Sequence, residues 1–160
     1  MSTQIIRATH LREEASTAHQ QGNLNRAEVL YVESLEIFVR EGGEYFVEAA
    51  NIMNTLAVMK QKHGDWYGAL KAAEKSIQIM NGLRTSPNRK ADEIRLQSWR
   101  IIGNIHRRLI RYNEAEQVLQ RALDHALYVF GAADEQTTLI FNELALLYKQ
   151  MGKLEKAERL

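Results

Sequence analysis

The chain has 160 residues, of which 45% are apolar, and 21 lysines and arginines almost balance 20 aspartates and glutamates. This length allows one domain of ordinary size or roughly three to four small repeats, and it excludes two catalytic domains. The absence of cysteine excludes disulfides, thiolate metal sites and a cysteine nucleophile. No apolar run is long enough for a signal peptide or a membrane span, so we expect a soluble, cytoplasmic protein without membrane contact. The single proline favours helices over a turn-rich β fold.

A pattern of small residues recurs four times along the chain. It begins with Ala15, Gly22 and Ala27, which are separated by seven and then five residues. The later copies, in chain order, are Ala57, Gly64 and Ala69, then Gly103, Ile110 and Ala115, then Ala145, Gly152 and Ala157. Successive copies are 42, 46 and 42 residues apart, so the sequence predicts an array of repeats.

Each copy predicts two antiparallel helices joined by a tight turn. In the third copy, Trp99, Ile102, Gly103 and His106 fall at the spacing of one helix face. A glycine then ends the first helix in three of the four copies. We interpret His106 as a partly buried packing residue with a hydrogen-bonded ring nitrogen. One pair leaves an apolar face uncovered, and stacking on the next pair buries it.

The third and fourth copies, WRIIGNIHRRLIRYNEAEQVLQRAL and FNELALLYKQMGKLEKAERL, carry small and large apolar residues in alternation. In this they resemble the tetratricopeptide repeat, and their length resembles the extended repeats of kinesin light chains and related bacterial scaffolds. The resemblance implies an all-α, right-handed α-solenoid of seven to eight helices without strands. The predicted array spans residues 1–160, with repeats at about 8–43, 50–83, 96–131 and 138–160.

Two features depart from a regular array. Residues 83–92 hold the only proline, Pro87, and predict a longer linker, which we interpret as a surface connection with a binding loop as the alternative. The fourth copy stops at Leu160, before a second helix of full length. We therefore expect either the N-terminal part of a longer protein or a chain that self-associates through this incomplete repeat.

We find no pattern that predicts catalysis. There is no glycine-rich phosphate loop, and the five histidines lack the spacing of a metal site. We expect a protein that is not an enzyme and that needs no cofactor or metal.

A second, polar stripe runs along the first helix of each copy and predicts a peptide-binding groove. Asparagine and glutamine can pair with a peptide backbone, and arginine can hold a carboxylate. In the tetratricopeptide family the corresponding concave surface often takes peptide segments; the alternative is a merely solvated helix face. The candidate groove residues are Arg12, His19, Asn51, Asn54, Gln61, Gln97, Arg100, Asn104, Arg107, Asn142 and Lys149.

The charges are unevenly distributed along the chain. Residues 1–48 carry four basic and eight acidic side chains, whereas residues 84–111 carry eight basic and two acidic ones. This basic centre favours an acidic peptide or protein as the partner, with an intramolecular or oligomer contact as the alternative. Nucleic acid is disfavoured because no aromatic residues that could stack on bases are interleaved with it. The sequence thus predicts a noncatalytic protein-interaction scaffold. The alternative is an N-terminal regulatory or oligomerisation segment of a larger protein.

Overall fold

The computed structural model describes residues 1–83 and 88–160, and these residues form α-helices and one short 3-10 helix, with no strand among them. This confirms the predicted all-α class. The described helices are α1 (Thr3–Gln20), α2 (Leu24–Glu41), α3 (Phe46–Lys62), α4 (Trp66–Asn81), α5 (Arg89–Arg108), α6 (Tyr112–Val129), α7 (Glu135–Gln150) and α8 (Leu154–Glu158), with the 3-10 helix Gly43–Tyr45 before α3. None of these helices is both long and apolar enough to cross a membrane.

The helices pack as consecutive pairs. Helix α1 packs on α2, α3 on α4, α5 on α6, and α7 on the short α8. Each pair then contacts the next, through α2 with α3, α4 with α5 and α6 with α7. The first helices also touch along the array, α3 with α5 and α5 with α7. This stacking buries the apolar stripe of each pair and brings the polar stripes of the first helices side by side.

The turns within the pairs share one left-handed position. Gly22, Gly64 and Gly152 adopt φ values of 78°, 78° and 71°. The third turn has the same backbone with a β-branched residue, because Ile110 adopts a φ of 60°. A side chain at Cβ opposes this conformation, so the third turn is strained where the other three are relaxed.

Two buried serines join the helices of the first two pairs. The Ser34 hydroxyl donates to the Ala8 carbonyl at 2.7 Å, and the Ser76 hydroxyl donates to the Ala50 carbonyl at 3.0 Å. Both serines are fully buried. The hydrogen bonds satisfy hydroxyls that would otherwise be costly inside an apolar interface.

The third pair fills the same two positions differently. Leu96 stands where the first helices of the earlier copies have alanine, and Ala122 stands where their second helices have serine. Both residues are fully buried in one apolar cluster. In the third pair, Leu96 thus takes the place of the alanine and Ala122 takes the place of the serine, so no hydroxyl is present at this position.

The first helices begin before the approximate repeat bounds given above. Helix α5 begins at Arg89, so residues 89–92 are helical and do not belong to a linker that reaches residue 92. The reason is a cap: the Asn88 side chain accepts a hydrogen bond from the Lys90 amide at 2.9 Å. Pro87 lies outside the described residues. Helices α1, α3 and α7 likewise begin before residues 8, 50 and 138.

Candidate functional site

The predicted groove residues lie on the four first helices, as the repeat pattern requires. All but one are exposed or half-buried. They are distributed as Arg12 and His19 on α1, Asn51, Asn54 and Gln61 on α3, Gln97, Arg100, Asn104 and Arg107 on α5, and Asn142 and Lys149 on α7.

A groove between α3, α5 and α7 brings three of these residues together. Asn51, Gln97 and Arg100 line a depression of about 340 Å³ with Gln136 of α7, which the sequence analysis missed. The other lining residues are Lys90, Glu93 and Ile94. Three of the seven lining residues carry amides, which offer both a donor and an acceptor. The remaining candidates lie outside this depression, and His19, Gln61, Arg107 and Lys149 are near the C-terminal ends of their helices.

The assignment of Asn54 to the groove is wrong. Its side chain is fully buried and joins α3 to α5. Asn54 Nδ2 donates to the Ile94 carbonyl at 3.2 Å, and its Oδ1 accepts from the Ser98 hydroxyl at 2.9 Å. Ser98 lies 2.8 Å from Ser76 of α4, oxygen to oxygen. The helix spacing that exposes Asn51 turns Asn54 into the core, because α5 packs over that side of α3.

Ion pairs link the first helices to one another. Glu48, at the start of α3, accepts from both Arg12 of α1 and Lys90 of α5. The Glu48 side chain is 20% exposed, so water only partly screens these pairs. Arg12 and Lys90 are therefore occupied in holding α1, α3 and α5 together.

Arg100 is held in the same way by α7. Its Nε and Nη2 donate to Glu143 Oε1 at 3.0 and 2.7 Å, with the two side chains 23% and 16% exposed. Glu143 Oε2 is buried and has no hydrogen-bond partner among the described residues. Arg100 serves the α5–α7 contact and is not an unpaired cation in the groove.

Arg107 differs from Arg100 because its contacts are all neutral. Its Nη1 donates to Gln150 Oε1 at 3.1 Å, and its Nε lies 3.4 Å from Asn104 Oδ1. Among the described residues, Arg107 forms no ion pair.

Glu48 and Glu143, which pair with the cations of this surface, are not among the residues predicted from the sequence. The available signal was spacing: Lys90 and Glu48 are 42 residues apart, and Arg100 and Glu143 are 43 apart. Opposite charges about one repeat apart lie at neighbouring positions on adjacent first helices. This spacing therefore identifies both glutamates in the sequence.

Most of the basic centre is paired with neighbouring groups. Arg89 Nη2 donates to Asp134 Oδ2 at 2.9 Å, and this contact lowers the pKa of the Asp134 carboxyl, which also accepts from the Gln136 amide. Arg95 lies 3.3 Å from Asn81 Oδ1 at the end of α4. Arg84 lies outside the described residues.

Arg108, the last residue of α5, and Arg111, directly before α6, lie over aromatic rings. The Arg108 guanidinium carbon lies 5.5 Å from the centre of the Trp66 ring, and that of Arg111 lies 5.7 Å from the centre of the Tyr67 ring. Among the described residues, neither arginine has a carboxylate within ion-pairing distance. Both guanidinium groups lie over rings at the start of α4, and neither arginine lines the 340 Å³ groove.

The interpretation of His106 holds only in part. The ring is half-buried, as expected, but its Nδ1 is buried without a hydrogen-bond partner among the described residues. Burial lowers the pKa of His106 below its ordinary value, and Arg111 acts in the same direction. Glu114 and Glu74 oppose this shift.

The comparison with protein families identifies the chain. The model of the tetratricopeptide repeat matches residues 6–82 and 94–160, so the chain belongs to the tetratricopeptide repeat family. Repeats of this family are generally noncatalytic scaffolds for protein–protein interaction. No curated protein matches the sequence significantly.

Two solved structures are similar in fold. BtubC (BKLC) from P. vanneervenii superposes with a TM-score of 0.75 and 17% identity, over 98% of this chain and 70% of that one. The N-terminal domain of stress-induced protein-1 (STI-1) from C. elegans gives a TM-score of 0.66 and 14% identity, over 90% of this chain and 99% of that one. At these identities the likeness concerns the fold, and it confirms the stacked helix pairs.

Proposed function

We propose that this chain is an interaction scaffold that binds an extended peptide segment in the groove between α3, α5 and α7. The observation that carries the proposal is the meeting of Asn51, Gln97 and Gln136, from three successive first helices, in one depression. Backbone amides and carbonyls of an extended peptide alternate along its length, and side-chain amides can pair with both. Three amides from three neighbouring helices therefore suit a peptide backbone better than they suit a single small ligand.

The ion pairs beside the groove support recognition of the backbone rather than of charge at its centre. Arg100 and Lys90 line the groove but already bind Glu143 and Glu48. A ligand carboxylate would have to displace these glutamates and leave them half-buried without a partner, which is costly. The cations keep the three helices in place, so the amides are pre-positioned for the ligand.

The proposed acidic residue of the ligand lies beyond the groove, near the C-terminal ends of α5 and α7. Arg107 contacts only neutral amides among the described residues, and Lys149 is exposed at the corresponding end of α7. Arg107 can exchange its contact with Gln150 for a ligand carboxylate without breaking an ion pair. We therefore propose a peptide with a neutral stretch followed by an acidic residue.

The test is selection from a library of random peptides displayed on phage, followed by affinity measurement with the selected peptide. We expect selected sequences to share one acidic position. Asn51→Ala and Gln97→Ala should each weaken binding about three- to tenfold, the value of one neutral hydrogen bond. Arg107→Glu should remove the acidic preference.

The matched control is Arg121→Glu, which makes the same charge change as Arg107→Glu at an exposed position of α6, away from the first helices. It should leave the affinity unchanged. Equal affinity of the wild type and the Asn51→Ala, Gln97→Ala double variant would contradict the groove, and selected peptides without an acidic position would contradict the role of Arg107.

A further inference from the structure

The turn between α5 and α6 differs from the other three turns in the residue at its left-handed position and in the exposure of that residue. Gly22, Gly64 and Gly152 occupy its left-handed position without strain, whereas Ile110 adopts a φ of 60° there. Ile110 is also 72% exposed, so its side chain gains little from burial. An isoleucine that is both strained and exposed stabilises neither the turn nor the core, and such outliers concentrate at sites of function.

The surroundings of Ile110 are basic and aromatic. Arg108 lies over Trp66 and Arg111 lies over Tyr67, whose side chain is 60% exposed. An arginine that rests on a ring loses less freedom when it binds a carboxylate, because the ring already restricts it. The guanidinium edges can still donate to a carboxylate in a fork.

A shallow groove continues from Ile110 towards the next turn. Its volume is about 490 Å³, and it lies between the α5–α6 turn and the end of α7. Ile110 and Met151 provide its apolar part, and Glu114 is its one acidic lining residue. Its full lining is Ile110, Arg111, Tyr112, Asn113, Glu114, Gln150 and Met151.

We propose that Trp66, Tyr67, Arg108, Ile110 and Arg111, here called the turn surface, form a second binding site, for an acidic protein segment that carries an apolar anchor. Charge complementarity defines the occupant: carboxylates meet Arg108 and Arg111, and an apolar side chain covers Ile110 and enters the groove towards Met151. This site shares no lining residue with the amide-lined groove of α3, α5 and α7.

The decisive variant is Ile110→Gly, which gives the third turn the residue found in the other three. Removal of the strain should leave the melting temperature equal to or above that of the wild type. The same change deletes the apolar anchor. The turn surface therefore predicts a variant that folds at least as well and binds less well, an outcome that a purely structural role would not produce.

The probe is a fluorescein-labelled synthetic peptide in which leucines alternate with pairs of glutamates, measured by fluorescence anisotropy at low and physiological salt. Two reference peptides replace the glutamates with lysines or the leucines with serines. We expect the wild type to bind only the first peptide, and Ile110→Gly and the Arg108→Glu, Arg111→Glu double variant each to weaken binding at least about tenfold. Arg121→Glu should bind as the wild type does.

Three results would overturn the proposal: no binding of the acidic peptide by the wild type, equal binding by Ile110→Gly, or loss of binding in the Asn51→Ala, Gln97→Ala variant but not in the turn variants. The last result would place the peptide in the α3–α5–α7 groove. Failure of the turn surface would leave the phage-selected peptide and its dependence on Asn51 unaffected, so the two proposals are tested separately.

Discussion

At Gly103, the helices of the third pair leave no room for a Cβ atom. A Cβ atom at this position would lie 2.7 Å from both Cγ and Cδ2 of Leu119, which is fully buried on α6. Alanine improves helix propensity by about 0.5–1 kcal/mol relative to glycine, but overpacking a core costs about 1–3 kcal/mol. We expect Gly103→Ala to lower the free energy of unfolding by about 1 kcal/mol, as measured by urea denaturation.

The second substitution Leu119→Ala provides the control for this prediction. It removes the atoms that the new methyl group meets, so in its background Gly103→Ala should become neutral or stabilising. Additive effects of the two substitutions would show that the contact does not limit position 103.

His106 makes stability depend on pH. Its folded-state pKa is lowered by burial, so the folded protein favours the neutral ring. The stabilisation is present above the ordinary value of 6.5 and is lost as the pH falls through the lower, folded-state value. We expect urea denaturation to give a lower free energy of unfolding at pH 5 than at pH 7, and His106→Gln to reduce this difference. An unchanged difference in the variant would assign the pH dependence to other groups.

At the scale of the helices, Asn51 and Asn54 of α3 have different roles: we propose that Asn51 binds the ligand, whereas Asn54 packs against α5. They are three residues apart on α3, but Asn51 is half-buried in the groove and Asn54 is bonded to α5. Asn54→Ala removes the acceptor of Ser98 and leaves the Ile94 carbonyl with one partner fewer, so we expect a loss of about 1–3 kcal/mol in chemical denaturation. Asn51→Ala should change stability by less than about 0.5 kcal/mol and weaken only peptide binding. Similar stabilities for the two variants would contradict this division.

The sequence predicts these helices well and their contacts less well. Small residues at fixed offsets specify the pairs, since only Ala, Gly or Ser lets two helices approach so closely at Ala15, Ala27 or Ser34. The predicted linker reaches residue 92, whereas α5 begins at Arg89, because this helix start depends on the Asn88 cap. Asn54 and Asn51 look alike in a polar stripe, and only the position of α5 distinguishes them. The partners of Arg12 and Arg100 come from neighbouring copies, which a reading of one helix at a time does not include.

At the scale of the whole array, stability should decrease from the middle pairs towards α8. Helix α3 contacts α2, α4 and α5, whereas α8 spans five residues, has no buried residue and contacts α7. Local opening needs least free energy where few apolar groups are buried. We expect hydrogen–deuterium exchange by mass spectrometry to be fastest in α8 and slowest in α3. Equal protection of α8 and α3 would show that the array opens as one cooperative unit.

The interface within a pair is filled by an alanine and a serine in the first two pairs and by Leu96 and Ala122 in the third. This difference determines which helices can be exchanged between pairs. A chimera that combined α3 with α2 or α1 with α4 would keep an alanine carbonyl opposite a serine hydroxyl. A chimera of α5 with α4 would instead place the larger Leu96 side chain where Ala50 leaves room for the Ser76 hydroxyl, and we expect this overpacking to cost about 1–3 kcal/mol. The first and second copies can therefore be recombined helix by helix, whereas the third must be moved as a complete pair, and a designer who shuffles this protein should cut between pairs.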